Sequence, residues 1–335
     1  MTQSSPPSVI LKGLGSYAPD TVLTNEALSK RVDTSDEWIV TRTGIRERRI
    51  ASEDQACSDL GVTAARQALD HAGITPGQVD MIIVATITPD MLFPSTACII
   101  QKKLGLTHIP CLDLEAACTG FLYALDVGTA LLRSHSRLNH ILIIGSEKLS
   151  SFIDWEDRST CVLFGDGAGA AVLARHPTPG CGVLDTLLGA DGSTPELLNI
   201  PGGGSSHPAS ADTLARKQHF LRMNGKEVFK FASRVMVQAS HDILSRNNLD
   251  VSDVDLIVPH QANIRIIENA CKSMGVPMDS FFINLDHYGN TSAASVPIAL
   301  HEAYQAGRIR PGDTVLCVAF GAGLTWGSAL LKWHN

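Results

Sequence analysis

The sequence predicts an α/β fold built from two similar halves. Short apolar runs of buried-strand type alternate with amphipathic helical patterns through most of its 335 residues, the mark of strands packed against helices. Several helical patterns stop at a glycine, which accepts the left-handed backbone that ends many helices. A set of local patterns also recurs once at a nearly constant distance along the chain.

The strand-like runs are MIIVAT (81–86), ILIIGS (141–146), GAAVLA (169–174), DLIVPH (255–260) and TVLCVAF (314–320). Between them lie helical patterns such as CSDLGVTAARQALDHAG (57–73) and SVPIALHEAYQAG (295–307). The repeat aligns GITPGQVDMIIV with NLDVSDVDLIVP, so that Val79 and Val254 stand 175 apart (254 − 79). Cys118 and Asn290 stand 172 apart (290 − 118), as do Ile143 and Val315 (315 − 143). Chance repetition of βα patterns is the competing account, and three matches at nearly constant offset weigh against it. The reading divides the chain into residues 1–178 and 179–335, with Cys118 and Asn290 at equivalent corners. Segment 199–220, NIPGGGSSHPASADTLARKQHF, breaks the alternation and reads as a surface loop or lid.

Composition bounds the function. The net charge of −7 argues against a nucleic-acid partner. MTQSSPPSVI has neither the basic start nor the apolar run of a secretion signal, and no apolar stretch nears the roughly 20 residues that span a bilayer. The eight cysteines form no C-x-x-C pair, so neither a zinc motif nor a disulfide framework is expected. The expectation is a soluble cytoplasmic protein without a membrane partner.

Chemistry-bearing residues collect at strand ends. In LEAACTGF, Cys118 follows two alanines and precedes a helical run. A helix N-terminus there would favour a thiolate, although a lone cysteine is equally a small buried apolar side chain. Cys98, Cys161, Cys271 and Cys317 lie in apolar patterns and read as such buried side chains. His260 ends a strand in VPHQAN, where α/β proteins build sites, and Asn290 in YGNTSAAS offers an amide donor. Each is alternatively a satisfied structural polar group. Together with the glycines of FGAGLTWGSAL (320–330) they supply a nucleophile, two donors and a close-approach loop. A Cys–His pair suits a nucleophile that carries an acyl group.

The motifs AACTG, VPHQAN, YGNTSAASVP and FGAGLTWGSALL, with DTSDEWIVTRTGIRERRIA and FGDGAGAAVLA, resemble the β-ketoacyl-acyl-carrier-protein synthase III family from about residue 8 onward. The resemblance implies a thiolase-like fold with duplicated βα halves in an α-β-α-β-α core, and a homodimer. It implies an acyltransferase that condenses an acyl-CoA with malonyl-acyl-carrier protein, giving β-ketoacyl-carrier protein, CoA and carbon dioxide, with no metal or redox cofactor. Cys118 would carry the acyl group, and His260 and Asn290 would bind the malonyl thioester oxygen. The N–H groups of Cys118 and Ala322, or alternatively Gly321 or Gly323, would form an oxyanion hole. Where the family commonly has three glycines, this chain reads Gly321-Ala322-Gly323; the N–H survives that change unless a positive φ is needed at Ala322.

Binding surfaces follow in the same way. Trp38 and Arg42, four apart, share a helical face and suit a stacked adenine and a phosphate. The bland alternative makes Trp38 core and Arg42, Arg46, Arg48 and Arg49 a solvated face. The resemblance sets Trp38 and Arg158 around the CoA adenine and Asn263 on the pantetheine arm. Arg265 and Lys272, seven apart on one helical face, join Lys230 in a basic patch that would dock the carrier protein. Phe93 would close the primer pocket of a partner subunit, its bulk pointing to short acyl groups such as acetyl. A paralogous starter enzyme of polyketide, alkylquinolone or branched-chain synthesis is the nearest alternative. A non-catalytic acyl-CoA- or carrier-binding homologue would have lost a nucleophile or donor, and Cys118, His260 and Asn290 are all present.

Overall fold

The computed structural model describes residues 7–334; residues 1–6, where a leader was sought, and residue 335 lie outside it. The first part of the chain runs β1 (Ser8–Tyr17), β2 (Val22–Thr24), α1 (Asn25–Ser29), α2 (Asp36–Thr43), β3 (Glu47–Arg49), α3 (Cys57–Ala72) and β4 (Met81–Ala85). It continues α4 (Thr96–Lys103), β5 (Cys111–Leu114), α5 (Gly120–Ser134), β6 (His140–Glu147), α6 (Arg158–Cys161) and β7 (Gly167–His176). Then follow β8 (Gly182–Ala190), β9 (Leu198–Asn199), α7 (Ala211–Ala215), β10 (Arg222–Met223), α8 (Gly225–Arg246) and β11 (Leu256–Pro259). The last elements are α9 (Ile264–Met274), α10 (Leu285–Tyr288), α11 (Ser295–Gln305), β12 (Thr314–Gly321) and β13 (Thr325–Lys332).

Two sheets with one topology carry the fold. The first has the order β1-β7-β6-β4-β5 and the second β8-β13-β12-β11. β4 pairs parallel with both β6 and β5, β11 pairs parallel with β12, and the remaining pairs of both sheets are antiparallel. A parallel bridge from Phe281 to Ile257 stands where β5 stands in the first sheet. Helices α5 and α11 lie between the sheets and touch both, α3 covers the outside of the first sheet and α8 the outside of the second. That is the expected α-β-α-β-α layering.

Burial explains the central pair. Helix α5 buries Phe121, Leu122, Ala124, Leu125, Gly128 and Leu132 in one broad stripe, wide enough to be covered by both sheets. Each large apolar side chain so buried is worth about 1.5–3 kcal/mol. In α11, Pro297 sits in the first turn, where its missing N–H costs nothing. Helix α3 ends at Gly73 in the left-handed conformation (φ 65°), as its sequence pattern predicts.

Four expectations need correction. The duplication has a different register at the corners: the 3₁₀ turns Ala117–Thr119 and Ser292–Ala294 precede α5 and α11, and both open on a left-handed non-glycine residue, Ala117 (φ 46°) and Ser292 (φ 49°). Matching those residues gives an offset of 175 (292 − 117). Cys118 then corresponds to Ala293, three residues beyond Asn290. No strand precedes Asn290 either; α10 does, and Asn290 only bridges Phe164. Arg48 is not on a solvated face but fully buried, its guanidinium donating to the Leu23 and Val162 carbonyls and to Asn25 Oδ1. Cys98 is exposed on α4, unlike Cys161, Cys271 and Cys317, which are buried.

Segment 199–220 is largely exposed, as expected, but it carries α7 and is pinned. Gly202 N–H donates to the Gln218 carbonyl, and Lys217 pairs with Asp154 and Glu156. Among the described residues no helix is long and apolar enough to cross a membrane.

Candidate active site

Strand ends and helix starts bring Cys118, His260 and Asn290 to one pocket, where Phe320 and Gly321 join them. Each is placed by a local rule. Cys118 lies in the turn between β5 and α5, where the left-handed Ala117 swings the chain from strand to helix. His260 follows the last residue of β11, its N–H donating to the Val318 carbonyl of β12. Asn290 is tied through its backbone to Leu163 and Gly165, and its Oδ1 accepts from Ser292 N–H at 2.8 Å. That bond orients the amide: its Nδ2 donor has no hydrogen-bond partner among the described residues, and Asn290 lines the pocket.

Burial decides the protonation states. It pushes the Cys118 thiol up to about 12, against the smaller lowering influence of the Ser292 hydroxyl and of the residue's own N–H. The expected helix start follows Cys118, and desolvation is the largest influence on its thiol. His260 is pushed down to about 3 by the same cause, so its ring is neutral at physiological pH. Its Nδ1 lies 2.6 Å from Ser295 Oγ, and its ring meets Phe320 edge-on at 5.1 Å between centroids.

The loop after β12 comes close to the cysteine. A Cβ on Gly321 would sit 2.7 Å from Cys118 N, so only glycine fits there. Neither Cys118 N–H nor Ala322 N–H is engaged by a backbone carbonyl among the described residues; Gly321 lines the pocket with Cys118, whereas Ala322 lines a neighbouring one with Ala117. Ala322 keeps a negative φ, while Gly323 adopts φ 134°, so alanine costs the loop no strain.

The expected binding residues fall in two groups. Trp38 and Arg158 come together, the guanidinium over the indole ring at 5.0 Å, with Arg158 also donating to the Asp33 carbonyl. Trp38 is partly exposed and is not core. Arg42 is exposed on α2, and its carbonyl accepts from Asn263 Nδ2 at 3.0 Å. Asn263 lines the pocket but caps α9 with its Oδ1, so both of its polar ends are occupied. Lys230, Arg265 and Lys272 are exposed. Arg265 stacks over Phe229, a pocket-lining residue, at 5.5 Å, whereas Lys230 pairs with Glu227.

Phe93 does not reach this site. It is 84% exposed, beside Leu92 at 84% and Met91 at 49%, and in its own chain Leu92 rather than Phe93 lines a second pocket that touches Ala117 and Ala322. Sequence reasoning missed Ser295, which sits within the quoted YGNTSAAS motif, and Glu147, a carboxylate at the end of an apolar run. A buried acid in that position was the available signal.

Residues 112–192 match the family described as 3-oxoacyl-[acyl-carrier-protein (ACP)] synthase III, and residues 244–333 match its C-terminal region. The β-ketoacyl-[acyl-carrier-protein] synthase III of Caldanaerobacter subterraneus subsp. tengcongensis is 54% identical over 323 residues, covering 96% of this chain and 97% of that protein. The crystal structure of the Aquifex aeolicus 3-oxoacyl-[acyl-carrier-protein] synthase III matches with a TM-score of 0.89 at 45% identity, covering 97% of this chain and all of that one. The priming β-ketosynthase of the R1128 polyketide pathway matches with a TM-score of 0.90 at 34% identity, covering 100% and 99%.

Proposed function

The chain belongs to the 3-oxoacyl-[acyl-carrier-protein] synthase III family, and we propose that Cys118, His260 and Asn290 divide its reaction between two half-reactions. The enzyme is an acyltransferase of the condensing type and performs the initiating condensation of fatty-acid synthesis. In the first half-reaction, Cys118 Sγ attacks the carbonyl carbon of an acyl-CoA, and the CoA thiolate leaves. The N–H groups of Cys118 and Ala322 hold the oxyanion, an arrangement in which one donor is typically worth about 10²–10³ in rate.

In the second, malonyl-carrier protein takes the place of CoA. His260 Nε2–H and Asn290 Nδ2–H donate to its thioester oxygen. As the carboxylate leaves as carbon dioxide, charge flows onto that oxygen, where two neutral donors receive it. The carbanion attacks the acyl-Cys118 carbonyl, and β-ketoacyl-carrier protein is released as the thiolate departs. Loss of carbon dioxide drives the step, so the chemistry as written calls for no metal or redox cofactor.

The observation that supports this reading is the convergence of Cys118, His260 and Asn290 on one pocket with His260 held neutral. Trp38 and Arg158 form the adenine clamp, with Arg42 beside it; Asn263 guides the pantetheine, and Arg265, Lys272 and Lys230 dock the acidic carrier protein. Acetyl-CoA is the primer. The enzyme acts as a cytoplasmic homodimer: Met91, Leu92 and Phe93 present an apolar surface suited to a second copy, where Phe93 would cap the partner's primer pocket. The halves meet at 178/179, in the turn between β7 and β8. A starter enzyme for polyketides would run the same chemistry with another primer.

The test is Asn290→Ala. Acyl transfer from acetyl-CoA to Cys118 persists, and malonyl decarboxylation is lost. Equal loss of both would contradict the division of labour.

A further inference from the structure

A nucleophilic thiol must give up a proton, and the groups so far described take it poorly. The Cys118 thiol stays protonated near neutral pH because burial holds it up. His260 has its Nδ1 against Ser295, and its burial makes it a weak base. An amide such as Asn290 accepts no proton at all. One group behind the cysteine has no assignment.

That group is Glu147, the last residue of β6, which is fully buried. It forms no ion pair among the described residues. Its carboxylate accepts instead from Thr88 Oγ1 at 2.6 Å, from Thr86 Oγ1 at 3.2 Å and from Ile87 N–H at 3.2–3.3 Å. Burial raises it to about 7, above the ordinary carboxylate range, with these donors pulling it back. The turn Ser292–Ala294 packs directly on β6: a Cβ on Gly145 would lie 2.3 Å from the Ala293 carbonyl oxygen.

Ser292 joins the two groups. It is 1% exposed and held left-handed, and its N–H is spent on Asn290 Oδ1. Its hydroxyl makes no hydrogen bond of regular geometry in the resting site, and its turn packs both on the Ala117–Thr119 turn that carries Cys118 and on β6, which ends in Glu147. A buried hydroxyl without a fixed partner, between an acid and a thiol, is an incomplete relay.

We infer that Glu147 accepts the Cys118 thiol proton through the Ser292 hydroxyl and stores it until the second half-reaction; the inference rests on Cys118 being the nucleophile. As the Cys118 Sγ–acyl bond forms, the thiol proton moves to Ser292 Oγ and the Ser292 proton moves to the Glu147 carboxylate. The CoA–acyl bond breaks, and the CoA thiolate takes its proton from solvent. When the condensation breaks the Cys118–acyl bond, the thiolate regains a proton from Ser292 and Glu147 restores the hydroxyl. One solvent proton is consumed per turnover, and Glu147 ends as it began.

The surroundings leave Glu147 as the group that titrates here. Cys57 of α3, bonded to Thr86, is held protonated by burial up to about 12. Asp90 is turned to Ser58, Asp166 to Ser150 and Ala51, and Lys148 to the Ser52 and Gln55 carbonyls. The relay needs Glu147 as carboxylate, so acylation rises with pH through about 7 and then levels.

The experiment is single-turnover acylation by acetyl-CoA, read by intact mass from acid to alkaline pH. Wild type is expected to show that rise and plateau. Glu147→Gln is expected to lose about 100-fold at neutral pH, within the range of a general base, and its rate should climb without levelling. Glu147→Asp recovers part of the rate with its midpoint shifted. If Glu147→Gln does not fold, Ser292→Ala, which leaves the acid in place, should lose the same limb. A Glu147→Gln or Ser292→Ala enzyme with the wild-type midpoint and rate overturns the relay alone. Absence of any adduct in wild type overturns the nucleophile assignment and the relay with it.

Discussion

His260 Nδ1 and Ser295 Oγ stand 2.6 Å apart, and both residues are buried. A neutral imidazole has one N–H. With Ser295 donating to Nδ1, that proton sits on Nε2, the nitrogen facing the pocket. Ser295→Ala releases this constraint. Malonyl decarboxylation is expected to fall about tenfold, the scale of one net hydrogen bond, while acyl transfer from CoA changes little. A variant that loses both half-reactions equally would remove the tautomer argument. Measuring the two half-reactions separately decides it.

The depressed His260 pKa, about 3, gives a pH prediction. The group is neutral, and able to donate without carrying charge, at every pH well above that value. Malonyl decarboxylation on an acylated enzyme should therefore show no limb near the ordinary histidine value of about 6.5. The linked stability effect has a definite sign. The unfolded histidine binds its proton below about 6.5 and the folded one only near 3, so stability is intact above 6.5 and declines as pH falls between them. A decarboxylation profile with a midpoint near 6.5 that persists in Glu147→Gln would show that His260 works as a charged group.

Gly321 admits no side chain, because its Cβ would meet Cys118 N at 2.7 Å. Gly321→Ala displaces the cysteine N–H and the following loop together. The expected result is a loss of about 100-fold or more in both half-reactions, since each passes through an oxyanion at that site. Steady-state and half-reaction rates for this one variant check it. Selective loss of decarboxylation would relocate the oxyanion hole.

Arg265 and Lys272 are exposed on α9, and Arg265 stacks on Phe229 at the pocket edge. Reversing both to Glu should raise KM for malonyl-carrier protein about tenfold or more, and more steeply at low salt, because charge complementarity acts on encounter. Acetyl-CoA transfer should be unaffected. If both substrates suffer alike, the patch is not a docking surface.

Much of the fold was legible locally. The apolar runs at 81–86 and 314–320 became β4 and β12, and the small-residue pattern from Cys57 to Gly73 became α3 with its glycine cap. Period and capping are properties of a short window, and they survive packing. The candidate site was legible because glycine and small residues mark the corners where Cys118 and Asn290 sit. What failed depended on partners distant in sequence. Arg48 reads as one of a charged run, yet carbonyls at Leu23 and Val162 enclose it. The repeat register differs by three residues at the corners, because α10 precedes Asn290 where β5 precedes Cys118. Glu147 looks like the polar end of β6, and only the 86–88 segment and Ser292 folded against it reveal an acid without a counter-ion.

The central claim is that Cys118 carries the acyl group. Intact-protein mass after incubation with a panel of acyl-CoAs, for wild type and Cys118→Ser, tests it most directly. The account predicts one acetyl adduct on wild type, lost in the variant and discharged when malonyl-carrier protein is added. Preference for a branched or longer acyl group would keep the chemistry and change the primer. No adduct from any acyl-CoA, or an adduct that persists in Cys118→Ser, would contradict the account.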